Sequence, residues 1–288
     1  EEAKTLKKGT YAGLVNGVLR NLVRRKSQIV FPEGDSLEAL SLRYSLPKEL
    51  IALWQRSYGK KLCGQLLEAF QQRPSLYIRV NTVKIRTDQL AKKLSDKGIA
   101  LSKLEFPLGA AIFEGEGSPA ALPEFQEGLF HVQDLSAQLA CQLLEVKPGQ
   151  MVCDCCAAPG GKTFTLAQAL ENKGIIYSFD LYKGRVKLIE KGAQRLGLNC
   201  VQAEQRDGLK PYDGLPLMDA VLCDVPCSGY GVIRRKPEIR YKPVSSIKDL
   251  PKIQYGILEN GASLVKPGGF LVYATCTLNP AENGEVAQ

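Results

Sequence analysis

From about residue 131 onward, strand-like apolar runs alternate with helix-length amphipathic segments. A helix over 133–146 leads into a strand at 150–155, helix 161–171, strand 174–180, helix 183–196 and strand 198–203. Strand 219–224, helix 245–265 and strand 269–275 follow. Strands separated by helix-length segments predict a parallel α/β sheet with right-handed crossovers and helices on its faces. Such doubly wound sheets collect ligand-binding residues beyond the carboxyl ends of their strands.

The sequence upstream has a different texture. Residues 9–25 place Leu14, Val18, Leu22 and Val23 at helical spacing, and the stretch FPEGD at 31–35 breaks that pattern as a linker. Helical segments resume over 36–72, where Trp54 and Tyr58 at i, i+4 spacing predict a packed face. LYIRVNTVK at 76–84 alternates like a strand, TDQLAKKLSDKG at 87–98 reads as a helix ending at Gly98, and IALSKLEF at 99–106 is strand-like again. The expected organisation is a helical piece at 1–30, a linker and helical segment at 31–75, a small α+β module at 76–130, and the α/β unit at 131–288. The small module suits either an RNA-facing role or a structural spacer. The chain lacks an initiator methionine, begins within helical sequence and stops soon after Cys276, so it is expected to be a fragment missing both ends.

Composition removes several classes. No apolar run is long enough to span a bilayer. Nine cysteines could suggest a disulfide scaffold, yet Cys153, Cys200 and Cys223 lie inside strand-like runs where a thiol packs as a hydrophobe. A reducing cytoplasm is the expected compartment. The single histidine, His131, argues against His-based zinc sites and Ser-His catalysis. Cys153, Cys155 and Cys156 have no fourth ligand at zinc-like spacing, so no metal is expected. A net charge of +8 suits a phosphate-rich partner without identifying one.

The first strand of the α/β unit runs into Cys156-Ala157-Ala158-Pro159-Gly160-Gly161-Lys162. Small residues there let backbone N–H groups approach a carboxylate or phosphate at a helix N-terminus. The loop has neither the P-loop spacing nor the GxGxxG dinucleotide pattern. Asp180 ends the second strand, where an acid can accept ribose hydroxyls, Asp207 follows the third, and Asp224 ends the fourth. Each alone is commonly a cap or turn residue. Together they favour an adenosine-bearing ligand.

Two thiols complete the pattern. Asp224-Val225-Pro226-Cys227-Ser228 follows the fourth strand, and Thr275-Cys276-Thr277 follows the fifth. Both cysteines are therefore expected at one sheet edge, where one thiol can attack a pyrimidine ring and the other can help remove it. S-adenosylmethionine, a methyl donor carrying adenosine, fits the loop, the aspartates and the thiols together. The basic run Arg234-Arg235-Lys236 beside that edge suits an RNA backbone or a solvated loop equally.

DCCAAPGGKT, DVPCSGYG and TCTLNPAEN closely resemble the RNA cytosine-C5 methyltransferases of the NOL1/NOP2/Sun group over residues 76–288. LVNGVLRNL is similar to the last helices of a NusB-like domain, which points to the bacterial RsmB-type (Sun/Fmu) branch. The resemblance implies a Rossmann-like class I S-adenosylmethionine-dependent methyltransferase sheet, an RRM-like small module before it and a NusB-like helical remnant. It also implies residue roles. Cys276 would attack cytosine C6, Asp224 would hydrogen-bond the N3/N4 edge, and Cys227 would help remove the C5 proton and release Cys276. Lys162 would assist at the ring or lower a thiol pKa. Residues 156–162, Asp180, Asp207 and Asp224 would bind the cofactor. The implied partner is RNA, 16S rRNA first, with no membrane, no metal and a monomeric state. A tRNA or large-subunit target, or a silent RNA-binding assembly protein, would share many of these features. Cys155, Gly284 and Tyr241 depart from residues common at those positions in the group.

Overall fold

In the computed structural model, which describes residues 9–107 and 109–288, the chain divides into two units, residues 1–68 and 69–288. The opening of the expected helical remnant, residues 1–8, lies outside the described residues.

The first unit is helical. Helix α1 (Ala12–Arg24) forms where the apolar spacing predicts it, yet none of its side chains is buried. Helix α2 (Leu37–Tyr44) starts at Ser36, whose hydroxyl accepts the Ala39 N–H at 3.1 Å, and it stops at Ser45 in the left-handed region. Helix α3 (Lys48–Ala69) is interrupted at Gly59, where φ is +78°. Its buried residues include Leu50, Ile51, Trp54 and Leu67.

The second unit contains two sheets. The smaller is built from β1 (Tyr77–Val80), β2 (Ala100–Lys103), β3 (Ala110–Glu114) and β4 (Phe130–Val132), in the order β2-β3-β1-β4 with every pairing antiparallel. Helix α4 (Thr87–Ser95) packs on it through Leu90 and Leu94, which join Ile78, Val80, Phe113 and Phe130 in one apolar cluster. A single turn, α5 (Pro123–Gln126), precedes β4. Sequence reading misses β3 and β4. The first is a short AAIFE run between glycines with no alternation, and the second has only three residues and straddles residue 131.

The larger sheet has five strands: β5 (Met151–Asp154), β6 (Ile175–Asp180), β7 (Val201–Gln205), β8 (Met218–Asp224) and β9 (Val265–Ala274). Their order is β7-β6-β5-β8-β9 and all pairings are parallel, as the alternation predicts. Helices α6 (Leu135–Gln142), α7 (Gly161–Ala169), α8 (Lys183–Leu196) and α9 (Leu250–Ser263) accompany it, and α10 (Gly284–Ala287) is a short closing turn. The predicted helix at 245–265 starts later, at Leu250, because Val244–Ile247 forms a 3₁₀ turn after Pro243.

Alternating side chains along each strand feed two cores. Val152, Ile176 and Leu222 meet Leu166, Leu170 and Ile189 on one face, while Cys153, Phe179 and Val221 meet Ile257 and Leu264 on the other. Each fully buried aliphatic side chain stabilises the fold by roughly 1.5–3 kcal/mol. The small sheet is tied to this framework by polar contacts: Asn81 Nδ2 donates to the carbonyls of Gly128 and Leu196 at 2.9 and 2.8 Å, and Arg79 Nε donates to Gln168 Oε1 at 3.1 Å. The chain adds β6 and β7 on one side of β5 and then β8 and β9 on the other, so the strand order reverses between β5 and β8. A crevice is expected at such a switch point, and the residues singled out by sequence lie beside it.

Candidate active site

The loop leaving β5 is pinned on both sides: Cys155 N–H donates to the Leu222 carbonyl at 2.9 Å and Ala157 N–H to that of Phe179 at 2.7 Å. Gly160 closes the loop at φ +111°, and a Cβ there would run into the Phe164 ring, so only glycine fits the start of α7. The first-turn amides that follow have no partner within their own helix. Beside the loop, Asp180 is buried, accepting the Tyr182 N–H at 3.1 Å and pairing with Arg185 at 3.2 Å. Arg185 also donates to the Ala158 carbonyl at 2.7 Å, so one half-exposed guanidinium bridges the loop and the strand-end acid. Asp207 caps a local turn through the Leu209 N–H at 3.0 Å.

The two thiols meet. Cys227 Sγ and Cys276 Sγ lie 3.2 Å apart, and the Cys276 N–H points at Cys227 Sγ, also at 3.2 Å. The loops interlock because Gly231 donates to the Cys276 carbonyl at 2.9 Å, and a Cβ on Gly231 would collide with that oxygen. The S–H of Cys227 donated to Cys276 brings the Cys276 thiol down to about 7, with Lys162 and Lys236 helping against burial and Asp224. The same hydrogen bond, with burial and the neighbouring charge, pushes Cys227 upward. Cys276 is therefore the thiol that ionises first.

Lys162 Nζ and Asp224 Oδ2 form an ion pair at 2.6 Å across the crevice. Burial alone would lower the Lys162 pKa, but the Asp224 carboxylate raises it overall, so the cation persists at neutral pH. A cavity of about 310 Å³ opens here, lined by Cys276, Asp224, Lys162, Asp134, Arg234 and Arg235 among others. Arg235 is engaged by Asp134 at 2.6 Å and the Ser75 carbonyl at 2.9 Å, whereas Arg234 is exposed. The structure thus brings Cys276, Cys227, Asp224 and Lys162 together. Asp180 and Asp207 lie farther along the strand ends and line no part of that cavity.

Two acids that sequence reading left without a role stand behind the site. Asp154 is fully buried, accepts the Thr163 hydroxyl at 2.7 Å through Oδ2, and has no partner at Oδ1. Burial raises it to about 7, and repulsion from Asp224 adds to this, against the Thr163 bond and Lys162. Glu282, also fully buried, accepts the Ser228 N–H at 2.8 Å and the amides of Gln254 and Asn279 at 3.0 Å each. An acid two residues after Asn279-Pro280 is the only sequence cue, and its partners are up to 54 residues away. Among the described residues, no group of three or more His, Cys, Asp or Glu side chains is placed to hold a metal ion, and no helix is long and apolar enough to cross a membrane.

Comparison with known proteins fits this geometry. A family model described as "16S rRNA methyltransferase RsmB/F" matches residues 141–288, and one described as an RsmF/B-like ferredoxin-like domain matches residues 46–114. A probable ribosomal RNA small subunit methyltransferase B of Bacillus subtilis is 38% identical over 96% of the chain and 62% of that protein. One from Synechocystis is 37% identical over 94% of the chain and 61% of that protein. The chain thus spans about three fifths of the length of these curated relatives. The crystal structure of a methyltransferase homologue from Pyrococcus horikoshii superposes with a TM-score of 0.78 at 32% identity, covering 89% of this chain and 82% of that one. On the match over residues 141–288 and the likeness to that solved homologue, the chain belongs to the 16S rRNA methyltransferase RsmB/F family.

Proposed function

We propose that the chain methylates C5 of a cytosine in 16S rRNA, using S-adenosylmethionine and a covalent bond between Cys276 and C6 of the base. The observation that carries this reading is the 3.2 Å thiol pair at a cavity shared with Asp224 and Lys162. Family membership and the B. subtilis relative's name support an RNA substrate.

The residues present suit the donor. The Gly160 turn presents backbone at the helix start, and Asp180 offers a strand-end carboxylate once the half-exposed Arg185 side chain yields. When bound, S-adenosylmethionine supplies an electrophilic methyl group for C5. The protein's part starts at Cys276, whose thiolate forms the S–C6 bond and leaves C5 electron-rich. Asp224 accepts from the amino edge of the base, and Lys162 offsets charge building on the ring.

The thiol order follows from electrostatics. While Cys276 is a thiolate, the hydrogen bond it accepts from Cys227, with burial and the neighbouring charge, holds the Cys227 proton in place. Once Cys276 is bonded to C6 that hydrogen bond and charge are gone, and Cys227 can give its proton to water. Its thiolate then takes the C5 proton, the C5–C6 double bond re-forms, and Cys276 leaves as a thiolate. A base stacked in a duplex would shield C5 and C6, so the target is unpaired or flipped out.

The deciding experiment incubates the protein with methyl-labelled S-adenosylmethionine and unmethylated 16S rRNA, followed by nucleoside analysis. Label in 5-methylcytidine is the expected outcome. Label in another nucleoside, or transfer to tRNA in preference, would overturn the substrate assignment.

A further inference from the structure

Neither thiol loop is held in place by a regular element. Cys227 lies three residues beyond β8 and Cys276 two beyond β9, each on irregular backbone. Beyond the Gly231–Cys276 hydrogen bond and a hydroxyl contact between Ser228 and Thr277, Glu282 joins the loops. Its Oε2 accepts the backbone N–H of Ser228, immediately after Cys227, at 2.8 Å. Its Oε1 accepts Asn279 Nδ2, from the Cys276 loop, at 3.0 Å. Gln254 Nε2 donates to Glu282 Oε2 at 3.0 Å and to the Pro226 carbonyl, immediately before Cys227, at 2.9 Å. Tyr273 at the end of β9 closes the arrangement by donating its hydroxyl to the Glu282 carbonyl at 2.7 Å.

We propose that Glu282 is the positioning residue of the thiol pair, binding the Cys227 loop to the Cys276 loop and so fixing the distance between the two sulfurs. The inference deepens the covalent mechanism above and rests on it. A carboxylate removed from water is a costly way to fill space, because its desolvation must be offset by well-aligned donors. Here those donors come from both thiol loops and from the helix beneath them. An apolar side chain would fill the volume and leave Ser228 N–H and the Gln254 and Asn279 amides unsatisfied. The loops would then keep only the Gly231–Cys276 bond and the Ser228–Thr277 contact, and the hydrogen bond between the sulfurs would lengthen first.

Iodoacetamide reads this directly, because it reacts with the thiolate. The 288-residue protein is alkylated across a pH series and the label at Cys276 is quantified by mass spectrometry. In the wild type the rate should rise with a midpoint near pH 7. Glu282→Ala should move that midpoint up by about one pH unit, toward the ~8.5 of an unperturbed thiol. In a Cys227→Ala background the same substitution should add little, since both changes remove one interaction. Glu282→Gln should stay close to wild type, because its carbonyl can accept from Ser228 and Gln254 while its amide meets a flipped Asn279. An unmoved midpoint in folded Glu282→Ala, an equal shift in the Cys227→Ala background, or a Gln variant that behaves like Ala would each overturn the proposal. Should Glu282→Ala fail to fold, Asn279→Ala decides: an upward shift supports the tie and an unchanged midpoint refutes it. The reaction uses neither RNA nor methyl donor, so failure here leaves the methylation reading to its own assay.

Discussion

Two groups of cysteines lie at similar sulfur separations and differ in access to solvent. Cys227 and Cys276 stand 3.2 Å apart beyond the strand ends, and Cys153 and Cys155 stand 3.8 Å apart inside the sheet. In the first pair Cys276 lines the crevice beside a half-buried Cys227, and Lys162 and Lys236 are near enough to favour the Cys276 thiolate. The second sits with Cys223 among Phe179, Val221, Ile257 and Leu264, where burial pushes the Cys153 thiol well up. Closeness of two sulfurs is therefore not what makes a reactive pair. Access and a nearby positive charge separate a nucleophile from a packing group.

The largest expected effect comes from breaking the exposed pair. On the proposed mechanism, Cys276→Ala should reduce methyl transfer by on the order of 10³-fold or more, because it removes the group proposed to bond to the base. It should also abolish any denaturant-resistant protein–RNA adduct on gels. Cys227→Ala should still attack, and the adduct should accumulate because release is impaired. An adduct trapped by Cys276→Ala in place of Cys227→Ala would reverse the two roles.

Asp154 sharpens the comparison, since it ends β5 between Cys153 and Cys155 and points the other way, toward Thr163. Its folded-state pKa of about 7 lies above the ordinary carboxylate value of about 3.9, so the folded state holds the proton more tightly. That contribution is fully present below about pH 4 and is lost as pH rises through about 7. Asp154→Asn should therefore stabilise the protein at pH 8 by at most about 4 kcal/mol. It should also flatten the stability profile between those limits. Urea unfolding at several pH values checks this, and a variant with the wild-type slope would show that Asp154 ionises normally in the folded state.

The exposed pair was legible in the sequence because each thiol follows a strand directly, and parallel strands end on one edge. The same logic placed Asp224 and the loop at 156–162. Tertiary contacts were not legible. Nothing in AAIFE or in a three-residue strand at Phe130 announces a sheet, because both are too short to show alternation and are specified by the partners they pair with. Glu282 stood within a quoted motif without a role, since its meaning lies in an amide 54 residues earlier. The sequence places Asp180 at a strand end, where an acid can accept ribose hydroxyls, and only the fold shows that Arg185 and the Tyr182 amide already engage it.

The smallest effect tests the buried side of the comparison. Cys223 packs under α9, where a Cβ on Gly261 would run into its sulfur, so helix and strand approach as closely as a glycine allows. Cys223→Ala removes one sulfur from that contact and leaves a small void, at a cost of about 1–2 kcal/mol. The midpoint of urea unfolding should fall with an unchanged slope, and methyl transfer per folded molecule should be unaffected. Native alkylation of this variant should still label Cys276 first, with Cys153 and Cys155 reacting only in denaturant. A Cys223→Ala variant that lost transfer while keeping its stability would break the division between packing and reacting thiols. It would mean that the sheet interior tunes the crevice through the strand end at Asp224, one residue away.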